Sequence, residues 1–161
     1  MSALGVLSVL VLAGGDVLSP VGLQGLSFKA PVGWQREQVD PNSLEWTDAG
    51  QQAKLAVSVY QLERPLPAEG CVKKMVEALG TQGFEMLSLG GRPAAKKITS
   101  DFLGEGEAAK TEDNRITTTS VVGCSGRVKW LLTFTAKTSR APRFGPVLKR
   151  ILESVSYRKA P

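Results

Sequence analysis

Ile116-Thr117-Thr118-Thr119-Ser120-Val121-Val122-Gly123-Cys124, then Ser125-Gly126, then Arg127-Val128-Lys129-Trp130-Leu131-Leu132-Thr133-Phe134-Thr135-Ala136: this stretch decides the fold. Both arms are rich in β-branched and aromatic residues, and the Ser-Gly pair between them reads as a tight turn, so the pattern predicts an antiparallel hairpin. In the second arm Val128, Trp130, Leu132 and Phe134 share one face. Leu131 falls on the other, alongside Val122 and Cys124 if Ser125-Gly126 is a two-residue loop. Apolar residues on both faces predict a sheet covered on two sides.

Upstream, 84–89 and 94–103 read as another antiparallel pair around Gly90-Gly91-Arg92-Pro93, and the polar, acidic stretch 104–114 as a mobile surface loop. Pro65 and Pro67 end a strand over 54–62 and introduce a helix over 70–80, in which Val72, Met75, Val76 and Leu79 form one apolar stripe. Leu44-Glu45-Trp46 is a short strand, and Leu26 to Ala30 another that stops at Pro31, with a turn at Gly33 before Trp34. Pro142 precedes a second helix over 143–155, with Phe144, Val147, Leu148, Ile151 and Val155 facing inward. Hairpins rather than crossovers join most strands, which predicts the α+β class: one central, mainly antiparallel sheet flanked by helices. Leu79, Val72, Trp130, Leu132, Phe134, Val147 and Ile151 are expected among the most buried residues.

At 161 residues the chain has the length of one domain, large enough to bury a core, and its 42% hydrophobic and 22% charged content is ordinary for a globular protein. It contains no histidine, which removes the usual metal ligand and the usual general base. No metal site and no cofactor are expected. Ser125, in Gly123-Cys124-Ser125-Gly126, has no histidine to activate it and sits between two strands rather than at a strand-to-helix elbow, so a hydrolase is a remote reading. Glu105, Glu107, Glu112 and Asp113 share one loop, but their spacing fits no calcium-binding loop.

The first 22 residues form an apolar N-terminal segment ahead of a single domain over 23–161. Its run from Ala3 to Ala13 is too short to span a bilayer and has the length of a signal-peptide core, with small residues suited to a cut after Gly15. No Lys or Arg precedes the run, and Gly15 stands where a lipidated cysteine would be in a lipoprotein signal. Cys71 and Cys124 admit three readings: a disulfide, a reactive thiol at Cys71 in the first helical turn, or two inert buried cysteines of a cytosolic protein. With the apolar leader, the disulfide is the expectation, in a periplasmic or secreted protein; the alternative is cytoplasmic.

Net charge is +5, yet the segment from Lys137 onward holds seven cations against one anion, a net +6. Arg143, Lys149 and Arg150 lie off the apolar stripe of their helix and are expected to face solvent. They suit an acidic protein partner or an anionic membrane surface, or serve as a solvated helix face. No aromatic stacking platform or Gly-rich phosphate loop accompanies them, so nucleic acid is not an expected partner. Trp34, Trp46 and Trp130 are expected in the core or at its edge, and Trp34, beside a turn, is the candidate among them for a partner-binding surface.

The order of elements, with Pro31-Val32-Gly33-Trp34 near its head, Lys129-Trp130-Leu131-Leu132-Thr133-Phe134-Thr135-Ala136, and Ile151-Leu152-Glu153-Ser154-Val155 in the last helix, resembles the PsbP-like family from about Leu23 to Tyr157. That resemblance implies an α/β/α sandwich and a binding or assembly module rather than an enzyme. The family includes an extrinsic photosystem II subunit, a nuclear import factor, bacterial envelope lipoproteins and chaperones of secretion-system effectors. The expectation is therefore a non-catalytic exported module acting on another envelope or secreted protein. The alternative is a cytosolic chaperone or adaptor of the same fold for secretion-system effectors.

Overall fold

A computed structural model describes residues 16–158. Ten strands and two α-helices follow one another as β1 (Leu18–Leu23), β2 (Leu26–Pro31), β3 (Gln35–Asp40), β4 (Ser43–Thr47), β5 (Ala53–Gln61), α1 (Ala68–Leu79), β6 (Glu85–Leu89), β7 (Arg92–Phe102), β8 (Arg115–Ser125), β9 (Val128–Lys137), α2 (Ala141–Glu153) and β10 (Ser156–Tyr157). Seven strands make one sheet in the order β3-β4-β5-β9-β8-β7-β6, and β1-β2-β10 make a small second one. Every pairing is antiparallel. The α+β architecture expected from the sequence is the one found.

The large sheet is covered unequally on its two faces. One face carries the main core: Leu55, Val57 and Val59 of β5 and Trp130, Leu132 and Phe134 of β9 pack against Leu26 and Phe28 of β2 and Phe144, Val147 and Ile151 of α2. The other face holds a smaller cluster of Cys71, Val72, Ala95, Val122 and Cys124 beneath α1. The helix lies mainly over β7 and β8, and Leu131 of β9 packs against the edge of this cluster.

Several details depart from the sequence expectation. The β8–β9 turn is Gly126-Arg127, with Ser125 paired to Val128, two steps from the register expected. A shift of two keeps every side chain on its face, so Val122 and Leu131 share the α1 side as expected and now lie directly opposite each other. Gly126 takes φ 58° at the first turn position, a value that favours glycine. Strands β1, β3 and β10 were not expected. The folded unit therefore begins ahead of residue 23, with Leu18 paired to Pro31. The reading of the first 15 residues as an export signal lies outside the described residues. Stretch 104–114 is exposed as expected but holds two 3-10 turns, closed by the Leu103 N–H to Asn114 carbonyl bond of 2.8 Å.

Leu79 is a correction: it is 49% exposed. In α1 only Cys71 and Val72 are fully buried, and the last turn, Glu77 to Leu79, is exposed.

One buried polar link ties the two sheets together. Trp130 is fully buried, and its Nε1–H donates to the Tyr157 hydroxyl over 2.8 Å. Burial raises the Tyr157 pKa above the ordinary tyrosine value, against the lowering pull of the Trp130 N–H and of Arg92. Because the folded-state value is the higher one, the contribution is intact below the unfolded tyrosine pKa of about 10 and is lost as pH rises through the folded value. In a Tyr60→Phe background, the 295 nm phenolate signal is expected to appear later on alkaline titration of folded protein than in denaturant. Superimposable curves would refute this.

Candidate binding surfaces

Cys71 in the first turn of α1 and Cys124 near the end of β8 are joined as a disulfide, with Cα atoms 6.1 Å apart. The bond pins the start of the helix to the sheet. Met75, one turn along, brings its sulfur to 3.4 Å from the Cys124 sulfur. Between the helix and the strands lies a groove of about 310 Å³. One wall is Lys74, Met75, Ala78 and Leu79 of α1; the other is Tyr60 of β5 with Lys129 and Leu131 of β9. Leu62, Leu66 and Cys71 complete its lining.

Leu131 makes the groove possible, because it is the one apolar residue on that face of β9 between polar Lys129 and Thr133. Alternation in β5 likewise puts Leu55, Val57 and Val59 into the main core and turns Tyr60 out, 43% exposed. Lys129 reaches across with its Nζ 5.8 Å from the centre of the Tyr60 ring. Among the described residues, neither Lys74 nor Lys129 is ion-paired. Sequence reading missed the groove because its signal was carried by Leu79 and Leu131, both of which also fit a core.

The basic face of α2 is where the sequence put it: Arg143, Lys149 and Arg150 are all exposed. Each is nevertheless engaged by its own chain. Arg150 Nη1 donates to the Asp16 carbonyl at 2.8 Å, Lys149 sits 3.8 Å from Glu153, and the Arg143 guanidinium lies 4.9 Å from the Phe144 ring centre.

Trp34 is a second correction, being 8% exposed rather than part of a surface. The turn at Gly33 folds the indole inward, 5.9 Å from the Phe144 ring and 6.2 Å from Phe134, with its Nε1–H donating to Asp16 Oδ1 at 3.3 Å. Such aromatic stacking belongs to the core.

Two acidic residues of the 104–114 loop are paired, Glu107 to Lys110 at 2.7 Å and Glu112 to Arg115 at 2.8 Å. The Arg115 hydrogen bonds and charge hold the Glu112 carboxyl below its ordinary pKa. No helix among the described residues is long and apolar enough to cross a membrane.

No protein-family model matches the chain, and no curated protein sequence does either. Solved structures do. The solution structure of cyanobacterial PsbP (CyanoP) from Synechocystis superposes with a TM-score of 0.60 at 13% identity, over 90% of this chain and 95% of that one. A crystal structure from Bacteroides thetaiotaomicron gives 0.60 at 10% identity, over 84% of this chain, which spans only 46% of that protein. PA94 of Pseudomonas aeruginosa, a protein of unknown function, gives 0.50 at 16% identity, over 91% of this chain and all of that one. Identities this low speak to fold.

Proposed function

The chain carries a PsbP-like fold, and we propose that it serves as a non-catalytic, exported binding module that docks another envelope or secreted protein in the α1 groove. The observation that carries this reading is the pair of large apolar side chains, Leu79 at 49% and Tyr60 at 43% exposure, held at the mouth of a concave apolar site. A disulfide supports export, since such bonds persist in oxidising compartments. A binding role without catalysis is supported by the chemistry available: both sulfurs are bonded to each other, the chain has no histidine, and Ser125 lies at a hairpin end.

A photo-reactive amino acid at position 79 tests the reading in the native host, with position 39 as control because Val39 is similarly exposed, at 55%, on β3. One discrete adduct with an envelope or secreted protein is expected from position 79 and none from position 39. Equal labelling from both positions would overturn the docking site. An adduct confined to cytosolic proteins would favour the cytosolic adaptor instead.

A further inference from the structure

We propose that the groove receives an amphipathic helix of the partner, with carboxylates flanking both sides of its apolar stripe; this rests on the docking reading above. The sheet argues first. On the face that carries Leu131, which lines the groove, β9 and β5 present Leu131 opposite Ser58 and, next along, Thr133 opposite Ala56, all half-buried. Short side chains make a shallow shelf, and helices pack on sheets by laying an apolar stripe on such a surface. The shelf is the place of a second helix beside α1.

Backbone chemistry selects a helix over a strand. Strand β5 is paired on both sides, to β4 and β9, and β9 to β5 and β8. Their N–H and C=O groups are already used, so a partner segment here must satisfy its own backbone. Dimensions agree. The groove follows α1 from Cys71 to Leu79, about 12 Å or two helical turns at roughly 1.5 Å per residue. That length matches anchors spaced i, i+3 or i+4, and i+7. A volume of 310 Å³ lies at the low end of small-ligand pockets, which span about 300–1,000 Å³. It suits a few anchoring side chains better than a whole lipid.

Charge gives the sign. Lys74 rises from the α1 wall and Lys129 from the β9 wall, so a helix lying between them meets a cation on each flank. Glutamates on both sides of its stripe would complete the pairs, and attraction would weaken as salt rises.

The experiment uses the full chain and three probes: a synthetic amphipathic helix with a Leu/Met stripe flanked by Glu, the same stripe flanked by Lys, and oleate. Fluorescence anisotropy should show the Glu peptide binding at least about tenfold tighter than the Lys peptide. Leu79→Glu should weaken it by at least about tenfold. Lys74→Glu with Lys129→Glu should reverse the preference between peptides, while Arg143→Glu with Lys149→Glu should change affinity by less than about twofold. If both peptides bind equally and both are lost in Leu79→Glu, the charged flanks are wrong and the docking groove stands. Binding that ignores Leu79→Glu, or that follows the α2 pair, overturns the groove itself. Oleate bound in place of either peptide, and lost in Leu79→Glu, overturns the helical occupant in favour of a lipid.

Discussion

Removing the Cys71–Cys124 bond is expected to cost about 4 kcal/mol of stability, the chain-entropy value for a crosslink spanning 53 residues. For a domain of this size that is roughly a 10 °C fall in melting temperature. The loss should be uneven. Helix α1 is held by a cluster with only five buried members, whereas the opposite face is sealed by the larger core built on β5, β9, β2 and α2. With the crosslink gone, the α1 amides should lose hydrogen-exchange protection well before those of β5 and β9. Cys71→Ser with Cys124→Ser provides the comparison. Non-reducing mass spectrometry of the parent should show two hydrogens fewer than the reduced chain. Equal melting points for the two forms, or protection lost evenly across the sheet, would sink this account.

Gly123→Ala should be nearly as damaging, at about 3 kcal/mol, the upper end of ordinary overpacking. A Cβ at this position would lie 2.5 Å from Cε2 and Cζ2 of Trp130, its cross-strand neighbour. That indole has nowhere to go: it is fully buried and its N–H is tied to Tyr157. Shrinking the ring should restore room, so Gly123→Ala combined with Trp130→Leu should be less harmful than the two single costs added together. Gly145→Ala in α2, where nothing lies within 4 Å, is the control and should be neutral or slightly stabilising. Strict additivity of the pair would refute the steric explanation.

What the sequence revealed divides along physical lines. Strands with one apolar face, such as β5 and β9, announce themselves, because alternation survives whatever packs on them. Strand β3 does not: Gln35 to Asp40 is exposed throughout, and only pairing to β4 makes it a strand. Strand β10 is two residues long and exists through its contact with β2. Burial of an individual residue was harder to read than membership of an element. Leu79 continues the stripe of Val72, Met75 and Val76, yet full burial in α1 is confined to Cys71 and Val72 and Leu79 is left exposed. Trp34 stands beside a turn, which suggests exposure, but the rings it meets, Phe134 and Phe144, lie 100 and 110 residues away. The groove was illegible for the same reason: it is an omission in tertiary packing, and its residues look like core.

A seven-stranded sheet with open sides is a template for further strands unless its borders resist. Here β3 forms one border with Arg36, Glu37 and Asp40 all exposed and a slipped register between Gln38 and Asp40. At the far border β6 is only five residues long and opens on exposed Glu85. Charge, brevity and irregularity are the features that oppose lateral growth at such borders. The molecule should stay dispersed at concentrations where a flat, bare-edged sheet of similar size would begin to polymerise, and newcomers are turned away from its rims.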